Sequence, residues 1–223
     1  MNIKRLTSLL VGGLALLTLS GCAGLHPGVA AQVGDVAITR SHVDDITRIR
    51  CELTQAQASG SQARGVVQQG TLNVLVESAR DAQYGQAVGA TYDEATLRQQ
   101  VQQFSDSLKN LSAKDKAAIT AEYRASVKGA LLLADVGAKS LKAKGTASPG
   151  IDESVNEGSK LAAAWAKKHL DVQIDPRFNP GKSGQAGGGD GSVSRPVSAY
   201  AKSAAGNPGA KFVATLPTGM RCG

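Results

Sequence analysis

Few side chains in this sequence can carry covalent or metal chemistry. Aromatic residues make up 4 % of the 223 positions, with one Trp, two Met, three Cys and three His. The histidines, His26, His42 and His169, stand far apart, and no paired Cys or His spacing suggests zinc. There is no Gly-x-Ser-x-Gly elbow for a serine hydrolase. Gly181-Lys182-Ser183 matches the end of a phosphate-binding loop, but Pro176 stands where its first glycine belongs. The paired acids Asp44-Asp45, Asp93-Glu94 and Asp152-Glu153 fall at expected helix starts, where the backbone dipole already accounts for them. No enzyme activity, metal or dissociable cofactor is expected. Long apolar runs are missing too: the one from Leu9 to Leu19 is eleven residues, whereas a membrane-spanning helix needs about twenty.

A run of that length suits the apolar core of an export signal, roughly 7–15 residues. Lys4 and Arg5 precede it and Leu19-Ser20-Gly21-Cys22 follow it. That last tetrapeptide resembles the lipobox of bacterial lipoproteins. The resemblance implies cleavage between Gly21 and Cys22, removal of residues 1–21 and a diacylglycerol on the Cys22 thiol, with palmitate among the anchor's acyl groups. The mature chain is then expected on the extracytoplasmic side of a cell membrane, lipid-anchored.

Lys plus Arg minus Asp plus Glu is 17 minus 17 over residues 22–175 and 6 minus 1 over 176–223. A neutral body argues against nucleic acid as a partner. The basic tail either keeps the chain soluble or favours anionic headgroups and wall polymers. Export also bears on the cysteines, because disulfides persist outside the cytoplasm. With Cys22 acylated, Cys51 and Cys222 either bridge to each other or remain as two free thiols.

Along the chain, residues 22–30 read as a lipidated tether. Short apolar runs at Ala31–Val33 and Val36–Ile38 flank Gly34-Asp35, a β-hairpin pattern. Thr39 or Ser41 can cap a first helix carrying Val43, Ile46, Ile49 and Leu53, which ends at the break of residues 58–61. Further helices are expected at about 61–87, from about 93 to 111 with the stripe Leu97, Val101, Phe104, Leu108 and Leu111, at 113–143, and at 152–169 with Val155, Leu161, Trp165 and His169 on one face. Residues 170–175 alternate apolar and polar side chains as a strand does. That strand needs a partner, and the hairpin supplies the candidates. Ten Gly and five Pro in residues 176–223 predict a mostly disordered tail from 179 to 223, in which only 211–216 offers a stretch able to dock.

His26-Pro27-Gly28-Val29-Ala30-Ala31, then Val33 to Thr39 leading into Ser41-His42-Val43, resemble the N-terminal region of SurA-like periplasmic chaperones, and more closely small lipoproteins carrying only that region. Gly89 to Leu97 is similar to the link that opens a helix in SurA and trigger-factor-type chaperones. Val172 to Phe178, with Asp175-Pro176-Arg177-Phe178, is similar to these lipoproteins' closing strand. The resemblance covers about residues 26–178 and implies a mainly α fold, a SurA N-terminal-like helical domain over 31–178 whose hairpin pairs with the C-terminal strand. Larger relatives insert a peptidyl-prolyl isomerase domain before the last helix. Here that interval is only Gly145 to Gly150, so no isomerase activity is expected. What the resemblance implies is a chaperone surface that holds unfolded exported proteins, with Tyr84, Tyr92, Phe104, Tyr123 and Trp165 as client contacts. Each of those five also stands where a core residue would. An envelope scaffold for one specific partner is the alternative.

Overall fold

A computed structural model describes residues 25–56, 61–178 and 209–222. The fold is mainly helical, with six helices among the described residues and a small antiparallel sheet near the N-terminus. Strands β1 (Val29–Val33) and β2 (Val36–Thr39) form the hairpin. They turn through Gly34 at φ +57°, a left-handed conformation that glycine adopts without steric cost. β1 starts two residues before the expected domain boundary, with Val29 and Ala30 buried, so the tether stops at Gly28.

Helix α1 (Arg40–Ala56) begins where the Thr39 hydroxyl accepts the His42 amide at 3.2 Å. The expected break after it falls mainly on 57–60, outside the described residues. A two-residue strand β3 (Gln62–Ala63), unforeseen in the sequence, precedes α2 (Arg64–Ala87). Asp93 caps α3 (Glu94–Ser107) instead of lying inside its first turn, its carboxylate accepting the Ala95 and Thr96 amides at 2.6 and 3.1 Å. The α3 stripe is accordingly shorter than expected, since Leu108 and Leu111 follow the helix. Both still pack with Ile46, Ile49 and Ile119.

α4 (Ala113–Ala143) is capped by the Ser112 hydroxyl, and α5 (Ile151–His169) returns alongside it. The buried face of α5 is Ser154, Gly158, Ala162 and Ala166, not the predicted stripe of Val155, Leu161, Trp165 and His169. A Cβ added at Gly137 would overlap the Ser154 carbonyl, and one at Gly158 would overlap that of Leu133. Small residues therefore let the two backbones touch, and the larger apolar side chains lie to either side.

Strand β4 (Val172–Ile174) pairs with β1 on the edge opposite β2, matching Ala31 with Ile174 and Val33 with Val172. The two ends of the body thus meet on one strand. Beneath them, Ala31, Val33, Ile38, Val43, Leu72, Leu75 and Phe178 form a shared core. The Asp175 carboxylate, 5 % exposed, accepts from the Arg40 guanidinium at 2.8 Å and ties the end of β4 to the start of α1.

The tail departs from its expected disorder over its last described stretch. Residues 209–222 carry α6 (Ala210–Val213), a 3-10 turn (Thr218–Met220) and β5 (Arg221–Cys222), which pairs with β3. Cys222 is disulfide-bonded to Cys51 with their Cα atoms 4.7 Å apart, and Val213 is 2 % exposed. A covalent tie and one buried side chain replace the apolar periodicity whose absence suggested disorder. The remainder of the predicted tail, 179–208, lies outside the described residues.

Candidate functional site

Four helices leave a cleft of about 500 Å³ between them. α1 contributes Arg50, Leu53 and Thr54, and α2 contributes Val66, Val67, Gly70 and Val74. Phe104 comes from α3, Ile119, Glu122, Tyr123 and Ser126 from α4, and Gln62 from β3. Leu53, Val66, Val67, Val74, Phe104 and Tyr123 are each only half-buried, so their apolar surface lines the cleft without being consumed by the core. The Phe104 and Tyr123 rings stack with centroids 4.0 Å apart and planes 16° from parallel, forming one flat wall.

Arg50 is the cleft's cation. Its half-buried guanidinium makes no hydrogen bond or ion pair among the described residues. Burial pulls its pKa down while the nearby Glu122 carboxylate pulls it up, and an arginine stays charged under either influence. Glu122 itself is engaged elsewhere, at 2.8 Å from His42 Nε2. The neighbouring pair Arg48 and Asp115 is closed, with hydrogen bonds of 2.5 and 3.3 Å. Arg50 therefore lies among apolar side chains with the Glu122 carboxylate as its nearby counter-charge.

Val74 and Ser126 also border a second hollow of about 290 Å³, further along α2 and α4. Its floor includes Asp81, buried against Gly129 and paired with Arg80 at 2.7 Å. Burial raises the Asp81 pKa and Arg80 opposes the rise. The two hollows share Val74 and Ser126 in their linings, the first holding Arg50 and Glu122 among apolar side chains and the second Glu77, Arg80 and Asp81.

The five residues expected to share a client surface do not stand together. Phe104 and Tyr123 do. Tyr84 is 5 % exposed in the core between α2 and α5, its ring centroid 5.6 Å from that of Trp165, and burial pushes its hydroxyl pKa up. Trp165 is half-buried there and stacks on His169 at 5.3 Å. Tyr92 lies in the link before α3, beneath the Lys128 ammonium at 5.4 Å. Tyr84, Trp165 and Tyr92 are thereby removed from the cleft, the first two because core packing claimed them. Gly21 and Cys22 lie outside the described residues. Arg50, Val66, Val67, Val74 and Glu122 were not foreseen. Arg50 carried a signal, since it falls in register between Ile46 and Leu53 on an otherwise apolar face.

Among the described residues no helix is long and apolar enough to cross a membrane. The chain matches no protein-family model, no curated protein and no solved structure.

Proposed function

We propose that the mature chain is a lipoprotein tethered through Cys22 to the outer face of a bacterial cell membrane, where its helical body holds unfolded exported polypeptides without isomerising them. The observation that carries this reading is the half-covered apolar cleft with its aromatic wall. Segments of an unfolded chain have apolar side chains to bury, and burial is worth about 25 cal/mol per Å² of such surface. A cleft of this size covers a few residues at a time, giving the weak and reversible grip a holding protein needs. The resemblance of residues 4–22 to an export signal and lipobox supports a position where new chains emerge unfolded. The SurA-like motifs at either end of the body support the same role.

A scaffold for one envelope protein is the competing reading, and one observation favours it. Promiscuous surfaces lean on Met, yet the mature chain has only Met220, on the C-terminal segment and not in the cleft. The two readings separate on an aggregation assay. The chain from Ala23 to Gly223, in several-fold excess, is expected to suppress light scattering by unrelated proteins as they unfold. No suppression at any excess would reject the holding role.

A further inference from the structure

We propose that the Cys51–Cys222 disulfide is a redox latch: a dithiol donor opens it, the C-terminal segment of residues 209–222 leaves the body, and the cleft gains the free edge of β3. The gain for the cleft rests on the holding role above, whereas the latch itself does not.

The segment is held by little besides the bond. Val213 and Cys222 are its buried side chains. It meets α1, α2 and β3, pairing Gln62 with Cys222 and Ala63 with Arg221. Its helix and turns bond inward: the Val213 and Ala214 amides donate to the Gly209 and Ala210 carbonyls, and the Arg221 guanidinium donates to the Ala214 carbonyl at 3.2 Å. Those bonds travel with the segment when it leaves. Docking also buries the Arg221 Nε without a hydrogen-bond partner among the described residues, a cost that water removes on release. Two residues of strand pairing are marginal in water, and the entropy of ordering the segment opposes them. The covalent tie therefore decides whether the segment stays.

A donor thiolate attacks the Sγ of Cys51, which is partly exposed whereas Cys222 is fully buried. The bond to Cys222 breaks, its electron pair goes to the Cys222 sulfur, and that sulfur takes a proton. The donor's second thiol then displaces Cys51, whose sulfur takes the second proton as the donor becomes a disulfide. Two electrons and two protons thus pass to the protein.

The latch sits on the rim of the cleft. Arg50, in the lining, is the residue before Cys51, and Gln62, also in the lining, stands opposite Cys222 in the β3–β5 pair. Once β5 leaves, β3 offers its backbone donors and acceptors at a cleft lined by Leu53, Val66 and Val67. An extended apolar polypeptide can then pair with β3 and bury side chains in the cleft, as in recognition by strand addition.

The chain from Ala23 to Gly223 has no cysteine besides Cys51 and Cys222, so dithiothreitol acts on this bond alone. Hydrogen exchange read by mass spectrometry is expected to show residues 210–222 losing protection on reduction while α4 and α5 keep theirs. Anisotropy of a fluorescent pentapeptide amide, Leu-Val-Phe-Ala-Leu, is expected to report binding at least about fivefold tighter to the reduced chain, the size of one net hydrogen bond. Cys51→Ser combined with Cys222→Ser should reproduce both results without reductant. Protection retained in 210–222 in either form would overturn the latch, because docking would not need the bond. Protection lost throughout the reduced chain would overturn it too, marking the disulfide as a staple of the whole fold. Release without tighter peptide binding would overturn the gain for the cleft, while the holding role is judged separately by aggregation suppression with the oxidised chain.

Discussion

Asp81 shows what a single buried charge does to this body. Its carboxyl pKa is raised by burial, with Arg80 holding it back, whereas an unfolded chain ionises aspartate near about 3.9. Between those two values the folded protein binds more protons than the unfolded one, so this residue's contribution to stability falls as pH rises. Asp81→Asn removes that dependence. Urea midpoints of the variant are expected to improve relative to wild type as pH rises above about 4; parallel curves would show that Asp81 is not desolvated. Asp175 is an acceptor shared by the Arg40 and Arg177 guanidinium groups and by the Arg177 amide. Asp175→Asn is expected to cost on the order of 1.5–3 kcal/mol, the range for a hydrogen bond to a charged group, read from chemical denaturation. The sequence made Asp175 legible as part of a motif. Asp81 was not legible, because its burial depends on a different helix, α4, which packs against it at Gly129.

At the scale of elements, the backbone contact between α4 and α5 sets the sign of a substitution. Alanine is worth about 1 kcal/mol more than glycine inside a helix, so Gly→Ala should stabilise where there is room. Gly70 in α2 has nothing within 4 Å of an added Cβ, and Gly70→Ala is expected to raise the melting temperature. Gly158 lies against the Leu133 backbone, and Gly158→Ala is expected to lower it, at a cost of about 1–3 kcal/mol for overpacking. The same direction in both variants would contradict the close contact. Helix positions were readable from apolar periodicity, and α4 spans the predicted 113–143. The contact face of α5 was not readable, since small residues on a helix leave no hydrophobic signal. The alternation at 170–175 exposed β4, whereas β3 and β5, at two residues each, are too short for any period. They pair beside the disulfide between Cys51 and Cys222. Reduction is expected to lower unfolding stability by about 2–5 kcal/mol in the chain-entropy account of a long closed loop, measured by denaturation with and without reductant.

For the whole molecule, the proposed lipid anchor makes the order of parts along the chain a geometric constraint. A tether from Cys22 that ends at Gly28 would be seven residues long, a reach of at most about 25 Å at 3.3–3.6 Å per residue. β1 begins directly after Gly28, and the cleft is lined by α1 to α4. The aromatic wall was visible in advance as Phe104 and Tyr123, but the cleft's cation was passed over, because an arginine between apolar positions reads as a helix surface until the neighbouring helices are in place. The most direct test of a membrane-held, chain-holding body is crosslinking in intact cells from a photoreactive residue at position 123, on the cleft wall. The account predicts adducts with many different exported polypeptides, recovered in the membrane fraction and shifted to the soluble fraction by Cys22→Ala. A single adduct of fixed size, with no exported chains among the products, would contradict it.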